Sequence, residues 1–336
     1  MATINIYLFH IIIRITIVAM SGSDKERNMD HVLIIGINGT FGREVGIALK
    51  AAGVQVSALM RHPSRLPAAL EGVHVIQGDV LDRSTLAHAC EEVDTIIYGV
   101  NPPNYDWSEK AIACLEPVAD MAERKCLTIV FPGNVYALDP ADGPEFDEQA
   151  VQRPRTEKGE IRRAMEQRLQ TAALHGAKVI ILRMGDFIAK DSGTSWLPVL
   201  IREGRRGITL ASPCAETLRR TWAYVPDAAR VVIRLLQRVD ELEAFNLFHF
   251  QGMRLSIRDI AEAMEDVYGK RVRIKPFPWW AIRLASPFST LCSGLIEMRY
   301  LWNEELLLSD AKLRTFLHRD VPSTDIRTAL TEYQQG

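Results

Sequence analysis

His31-Val-Leu-Ile-Ile-Gly-Ile-Asn-Gly-Thr-Phe-Gly42 decides the fold. Val32 to Ile35 is an apolar run of the kind that forms a parallel strand buried on both faces. It ends at Gly36, and Gly39 and Gly42 follow at three-residue spacing. A helical pattern then runs from Thr40 to about Ala52 and stops before Gly53. Strand, glycine turn and helix in that order bring a helix N-terminus up to a tight turn. Backbone N–H groups and the helix dipole there attract a phosphate anion. Glycine is required where a side chain would block a pyrophosphate or the helix–strand contact. The stretch predicts a dinucleotide site; the alternative is a glycine-rich turn of no special purpose.

The next strand bears on which dinucleotide. Val54-Gln-Val-Ser-Ala-Leu-Met60 alternates and ends at Arg61, with Arg65 four residues on. An Asp or Glu at this strand end takes the ribose hydroxyls in NAD-preferring folds. Arg61 stands there instead, and a guanidinium binds a 2′-phosphate through two parallel hydrogen bonds. The expected cofactor is NADP(H), with NAD(H) as the second choice. The competing reading of Arg61 is a solvated surface arginine.

With 336 residues, 47% hydrophobic and 24% charged, the chain has ordinary soluble composition, enough for one large domain or two lobes. A net charge of −2 gives no electrostatic case for nucleic acid. The basic clusters at Arg202 to Arg206 and Arg162–Arg163 are short and read as solvated helix faces. Cys90, Cys114, Cys126, Cys214 and Cys292 are scattered and odd in number, which points to reduced thiols and a cytoplasmic location. Neither the cysteines nor the eight histidines show metal-site spacing, so no metal is expected.

Ile4 to Met20 is mostly apolar but contains Asn5, His10, Arg14 and Thr16. A signal peptide carries its basic residue ahead of the apolar core. As a membrane span the run is short, and Arg14 near its middle would cost about 2.5–3.5 kcal/mol. Residues 1–28 are expected to be a start-site extension outside the fold, and no membrane partner is expected. A weak anchor is the alternative.

From Met29 strand and helix alternate, which implies a parallel sheet with helices on both faces. Expected strands are 31–36, 54–60, 73–76, 94–98, 126–131 and 178–183, with a further one at Phe245 to Phe250. Expected helices between them are 40–52, 82–90, 107–124 and 159–174. Later segments lose this rhythm and carry helical stretches near 256–268, 303–317 and 323–334. The predicted organisation is an α/β, doubly wound Rossmann sheet over 29–190, to which 221–250 returns. Residues 191–220 and 251–336 form a smaller, mostly helical lobe on the substrate side. Ligands of such sheets bind at the carboxyl edge of the strands.

Gly78-Asp79-Val80 follows the third strand, Gly99-Val-Asn-Pro-Pro103 the fourth, Phe131-Pro-Gly-Asn-Val-Tyr136 the fifth and Leu182-Arg-Met-Gly-Asp-Phe187 the sixth. Trp222-Ala-Tyr-Val-Pro-Asp-Ala-Ala229 precedes an apolar helix. This succession resembles the extended and atypical short-chain dehydrogenase/reductases, and among them the NAD-dependent epimerase/dehydratases. The resemblance is strong over 29–250 and looser in the tail. It implies that Gly36, Asn38, Gly39, Thr40, Phe41 and Gly42 wrap a pyrophosphate. It implies that Asp79 and Val80 meet the adenine, and that Gly99 to Asn101 pass near the ribose and nicotinamide. The other reading of Asp79 is a cap or turn residue.

The families it resembles use a tyrosine, a lysine four residues later, and a serine or threonine after the fifth strand. This chain departs at all three places. Lys158 stands where the tyrosine is expected and Arg162 where the lysine is expected. Pro132 stands where the serine is expected, with Asn134 two residues on. Two readings follow. In one, Arg162 anchors the ribose and Lys158 replaces the tyrosine as general acid or base, since a lysine desolvated beside a cation can titrate low enough. In the other, Arg162 and Glu166 are an exposed i,i+4 ion pair and Lys158 is a solvated charge. Tyr105 and Trp107 either roof the nicotinamide or pack. Asp186 either faces the substrate or steadies a turn, and Arg219–Arg220 either bind an anionic group or form a basic loop. Trp279-Trp280 and Met298 to Trp302 read as lobe packing.

The function implied is an oxidoreductase or epimerase acting on a small carbonyl or alcohol substrate. The alternative is a non-catalytic NADP(H) sensor that reports redox state to a partner. Oligomeric state is left open.

Overall fold

The structure, a computed structural model, describes residues 30–190, 195–204 and 207–334. The expected extension at 1–28 lies outside the described residues.

Seven parallel strands build the central sheet: β1 (His31–Ile35), β2 (Gln55–Met60), β3 (His74–Gln77), β4 (Thr95–Tyr98), β5 (Thr128–Gly133), β6 (Lys178–Arg183) and β7 (Phe245–His249). Their order is β7-β6-β5-β4-β1-β2-β3. Val32 pairs with Val56 of β2 on one side and with Thr95 of β4 on the other. The chain reverses direction across the sheet between β1 and β4, and ligands of open α/β sheets bind at such a point.

The apolar strands are covered on both sides, as continuous rather than alternating runs require. Val32 and Ile34 pack under α1 (Thr40–Ala51) and a later helix, Val225–Gln237. Leu33 and Ile35 face α2 (Arg83–Ala89), α3 (Lys110–Lys125) and α4 (Glu157–Leu174). The doubly wound α/β fold expected from the sequence is the one observed.

Boundaries differ where local chemistry sets them. Cys126 adopts a left-handed conformation (φ 53°) that ends α3, so β5 begins at Thr128 and runs through Pro132 to Gly133. Thr156 accepts from the Gly159 N–H and starts α4 at Glu157. The helix expected at 303–317 is only Ala311–Phe316, because Leu307–Leu308 pairs with Glu145–Phe146 as a short strand.

The C-terminal region is helical but also carries two three-stranded sheets: Ile201–Gly204, Gly207–Ser212 and Val272–Pro276, and Asp186–Ile188, Arg220–Tyr224 and Met253–Leu255. Arg202 therefore lies on a strand, not on the helix face expected for Arg202 to Arg206. A core of Trp196, Trp222, Phe277 and Trp302 fills this region. In front of it, α5 (Trp279–Ala285), a turn at Ser286–Phe288 and α6 (Thr290–Glu297) make a helical hairpin.

Candidate functional site at the sheet edge

β1 ends in a turn built from glycine. Gly36 has φ +91°, and a Cβ there would lie 2.5 Å from the Gly99 carbonyl carbon. The ends of β1 and β4 thus touch backbone to backbone. A Cβ on Gly42 would lie 2.5 Å from the Gly36 oxygen, so the first turn of α1 sits directly on the loop. Gly39 is the N-cap of α1, has no capping side chain, and is followed by no acid in the first turn. Thr40 and Phe41 are buried, whereas Asn38 is exposed. The N-terminal N–H groups and dipole are left for an anion, and the turn has no room for a side chain at Gly36 or Gly42.

Arg61 follows β2 directly and is exposed, as is Arg65. Asp79 accepts from the Leu81 N–H at 3.0 Å, an Asx turn, and Val80 is buried. The cap of α2 is Asp82, which accepts from the N–H groups of Ser84 and Thr85 and whose carboxyl is held at about 2 by those two side chains and N–H groups. The Gly99 N–H donates to the Ile35 oxygen at 2.7 Å, and Asn101 is exposed just beyond.

The buried face of α4 supplies the second half. Lys158, Arg162 and Glu166 recur at i, i+4 and i+8, and all three are buried beside Ile161, Met165 and Leu169. This corrects the expectation of solvated charges. Glu166 does not form an exposed pair with Arg162; it accepts from Arg183 of β6 at 2.5 Å and from Gln152. The Arg162 guanidinium lies 4.6 Å from the Trp107 ring centre and 5.5 Å from that of Phe131. Its Nη1 reaches the Pro132 oxygen at 3.5 Å, while its Nε–H has no hydrogen-bond partner among the described residues. Burial lowers its pKa. A buried donor without a partner is costly in a native protein, which leaves this N–H open to a ligand or water oxygen.

Lys158 is held from across the molecule. Glu297, the last residue of α6, accepts from the Lys158 backbone N–H at 3.0 Å and from its ammonium. The Lys158 ammonium also lies 5.7 Å from the Tyr105 ring centre. Tyr105 has φ 58° and packs against Gly294 of α6, where a Cβ would meet its own Cβ at 2.7 Å. Its hydroxyl is 3.2 Å from that of Tyr136, and Trp107 stacks on the Tyr136 ring. Burial pushes the phenols of Tyr105 and Tyr136 above their ordinary range. Asn134 spends its Oδ1 on the Tyr136 N–H, at 3.1 Å.

Glu297 and Gly294 had no signal in the sequence, because they meet Lys158 and Tyr105 only through the fold. Two other candidates have structural partners. Asp186 accepts from Arg220, whose guanidinium lies 4.0 Å from the Trp302 ring centre and also donates to the Leu301 oxygen. The Arg219 backbone N–H donates to Glu305. Among the described residues, no three or more His, Cys, Asp or Glu are placed to hold a metal, and no helix is long and apolar enough to cross a membrane.

Residues 32–248 match the family described as NAD dependent epimerase/dehydratase. Three solved structures share the fold at low identity. L-threonine dehydrogenase from Clostridium difficile superposes with a TM-score of 0.71 at 18% identity, covering 91% of this chain and 97% of its own. UDP-glucose 4-epimerase from Brucella ovis, in complex with NAD, gives 0.70 at 16%, covering 91% and 98%. UDP-glucose 4-epimerase from Thermus thermophilus, also in complex with NAD, gives 0.68 at 18%, covering 90% and 99%. A curated relative from Streptomyces griseus, (4-alkanoyl-5-oxo-2,5-dihydrofuran-3-yl)methyl phosphate reductase, is 38% identical over 82 residues. That stretch is 24% of this chain and 29% of the relative.

Proposed function

The chain belongs to the NAD dependent epimerase/dehydratase family, and from that premise we propose that it is a nicotinamide-dependent oxidoreductase or epimerase acting on a small carbonyl or alcohol substrate. The observation that carries the proposal is the buried placement of Lys158 and Arg162 on one face of α4, at the carboxyl edge of the sheet. A charged pair kept in the interior beside a side-chain-free phosphate cradle is what a site needs and a solvated helix does not.

The residues present fit a dinucleotide. Gly36, Asn38, Gly39, Thr40, Phe41 and Gly42 would hold the pyrophosphate on the α1 N-terminus. Asp79 and Val80 would meet the adenine, and Gly99 and Asn101 would flank the ribose. Arg61 would take a 2′-phosphate, which favours NADP(H). The Nε–H of Arg162 would donate to the nicotinamide ribose. When bound, the nicotinamide supplies or accepts a hydride at a substrate carbon.

The proton is the protein's task. Lys158 would take the tyrosine's place: its ammonium, held by Glu297, would donate a proton to a substrate oxygen in the reductive direction. Glu297 fixes the ammonium for this. Tyr136 and Tyr105 are poor alternatives, since burial makes both phenols weak acids. Asn134 orients the Val135–Tyr136 corner through its hydrogen bond rather than contributing a proton. The family match favours an enzyme over a sensor. The test is nicotinamide-fluorescence titration followed by turnover of a carbonyl and alcohol library. Binding followed by substrate-dependent change in nicotinamide absorbance is the expected result.

A further inference from the structure

The outer face of the α5–α6 hairpin is apolar and unpartnered. Trp280 is 72% exposed, Leu284 70%, Phe288 91% and Leu291 42%. Trp280, Leu284 and Phe288 recur every four residues, and Phe288 sits in the turn joining the helices, at the tip of the hairpin. Scattered exposed apolar residues need no explanation, but a contiguous set with two large aromatics marks a contact surface.

The charges in the flanking sequence say what kind. From Gly269 to Ile296 the chain carries Lys270, Arg271, Arg273, Lys275 and Arg283 and no Asp or Glu. Lys270 pairs with Glu203, at 3.6 Å. Arg271, Arg273, Lys275 and Arg283 are exposed and have no acid within ion-pair distance among the described residues. Arg299 adds a further cation, 5.0 Å from the Trp279 ring centre. The nearest acid in sequence after the hairpin's outer face, Glu297, is turned inward onto Lys158.

We propose that this hairpin docks the protein on the surface of an anionic lipid bilayer. Phe288, Trp280 and Leu284 enter the interfacial layer, and the basic residues meet the headgroups. A projecting tip bearing Trp and Phe beside Lys and Arg suits the headgroup boundary, where amphipathic aromatics settle. A second copy of the same face would bring like charges together, which opposes self-association. Peripheral docking needs no spanning helix.

The experiment is co-sedimentation of the full chain with phosphatidylserine–phosphatidylcholine vesicles and with phosphatidylcholine vesicles alone. Phe288→Asp, Trp280→Ser and Leu284→Ser are compared with the parent, each first checked for an unchanged thermal transition. The proposal expects the parent to sediment with the anionic vesicles and about tenfold less with neutral ones or in high salt. Each variant that keeps its fold should lose about fivefold or more of the bound fraction. Undiminished binding by the variants would assign it elsewhere in the chain, including the apolar run at Ile4 to Met20, and overturn the proposal. So would failure of the parent to bind anionic vesicles, or a parent dimer that Trp280→Ser converts to monomer.

Discussion

Glu297 accepts both the backbone N–H and the ammonium of Lys158, residues 139 positions apart in the chain. One carboxylate thus fixes the start of α4 and the direction of its first buried cation. The pair ties the end of α6 to the start of α4.

Removing either end should separate chemistry from binding. Lys158→Met is expected to spare cofactor affinity and lower turnover by about 10²–10⁴-fold, the range for a lost general acid or base. Glu297→Gln keeps the shape and should lower turnover less. Steady-state rates at saturating cofactor check this; an unchanged Lys158→Met rate would remove the lysine from the mechanism.

The proposed preference for NADP(H) rests on Arg61. NADPH should bind more tightly than NADH, and Arg61→Ala should cost NADPH binding about 1.5–3 kcal/mol while leaving NADH unaffected. Parallel titrations decide it. Equal affinities in the parent would return Arg61 to the surface.

Gly39 tests the loop without breaking it. Its backbone is extended (φ −76°, ψ 155°), and a Cβ would lie 3.3 Å from the Gly36 oxygen, a tight contact that a shift of a few tenths of an ångström relieves. Gly39→Val should abolish cofactor binding while circular dichroism stays unchanged. Retained binding would place the cofactor elsewhere.

What could be read in advance follows a physical division. The glycine loop and the seven strands were legible because backbone needs impose short, regular patterns: glycine where chains touch, apolar runs where both faces are covered. The charged ladder at Lys158, Arg162 and Glu166 is open to two readings in the sequence, because charge at i,i+4 spacing usually means a wet face. Its burial depends on Glu297 and Arg183, which no local window contains. Tyr105 was named for roofing or packing, and its contact with Gly294 likewise arises only in the fold.

Gly159 should be intolerant of any side chain. A Cβ there would lie 2.5 Å from the Tyr136 oxygen and 2.7 Å from a carbon of Pro154. Gly159→Ala should destabilise the protein by about 1–3 kcal/mol, as overpacking does, despite alanine's higher helix propensity. Urea unfolding measures it; a gain in stability would contradict the close approach.

His249 predicts a pH dependence. Burial, with Arg183 beside it, lowers its pKa from 6.5 to about 3. Below pH 6.5 the unfolded chain takes up a proton that the folded one refuses. Its contribution is therefore fully present above pH 6.5 and is lost as pH falls toward 3, at up to about 1.4 kcal/mol per pH unit. His249→Gln should flatten that part of the stability profile in denaturant titrations across this window.

The span between Lys158 and Glu297 also sets an order of events during synthesis. The backbone contacts of the glycine turn reach only Gly99, whereas α1 above it also packs on the later helix Val225–Gln237. The contacts that hold Lys158 and Tyr105 in place form only once residue 297 is present and the hairpin has docked on them. On the function proposed above, a chain ending before residue 297 would lack the carboxylate that holds Lys158, whatever it bound at the glycine turn.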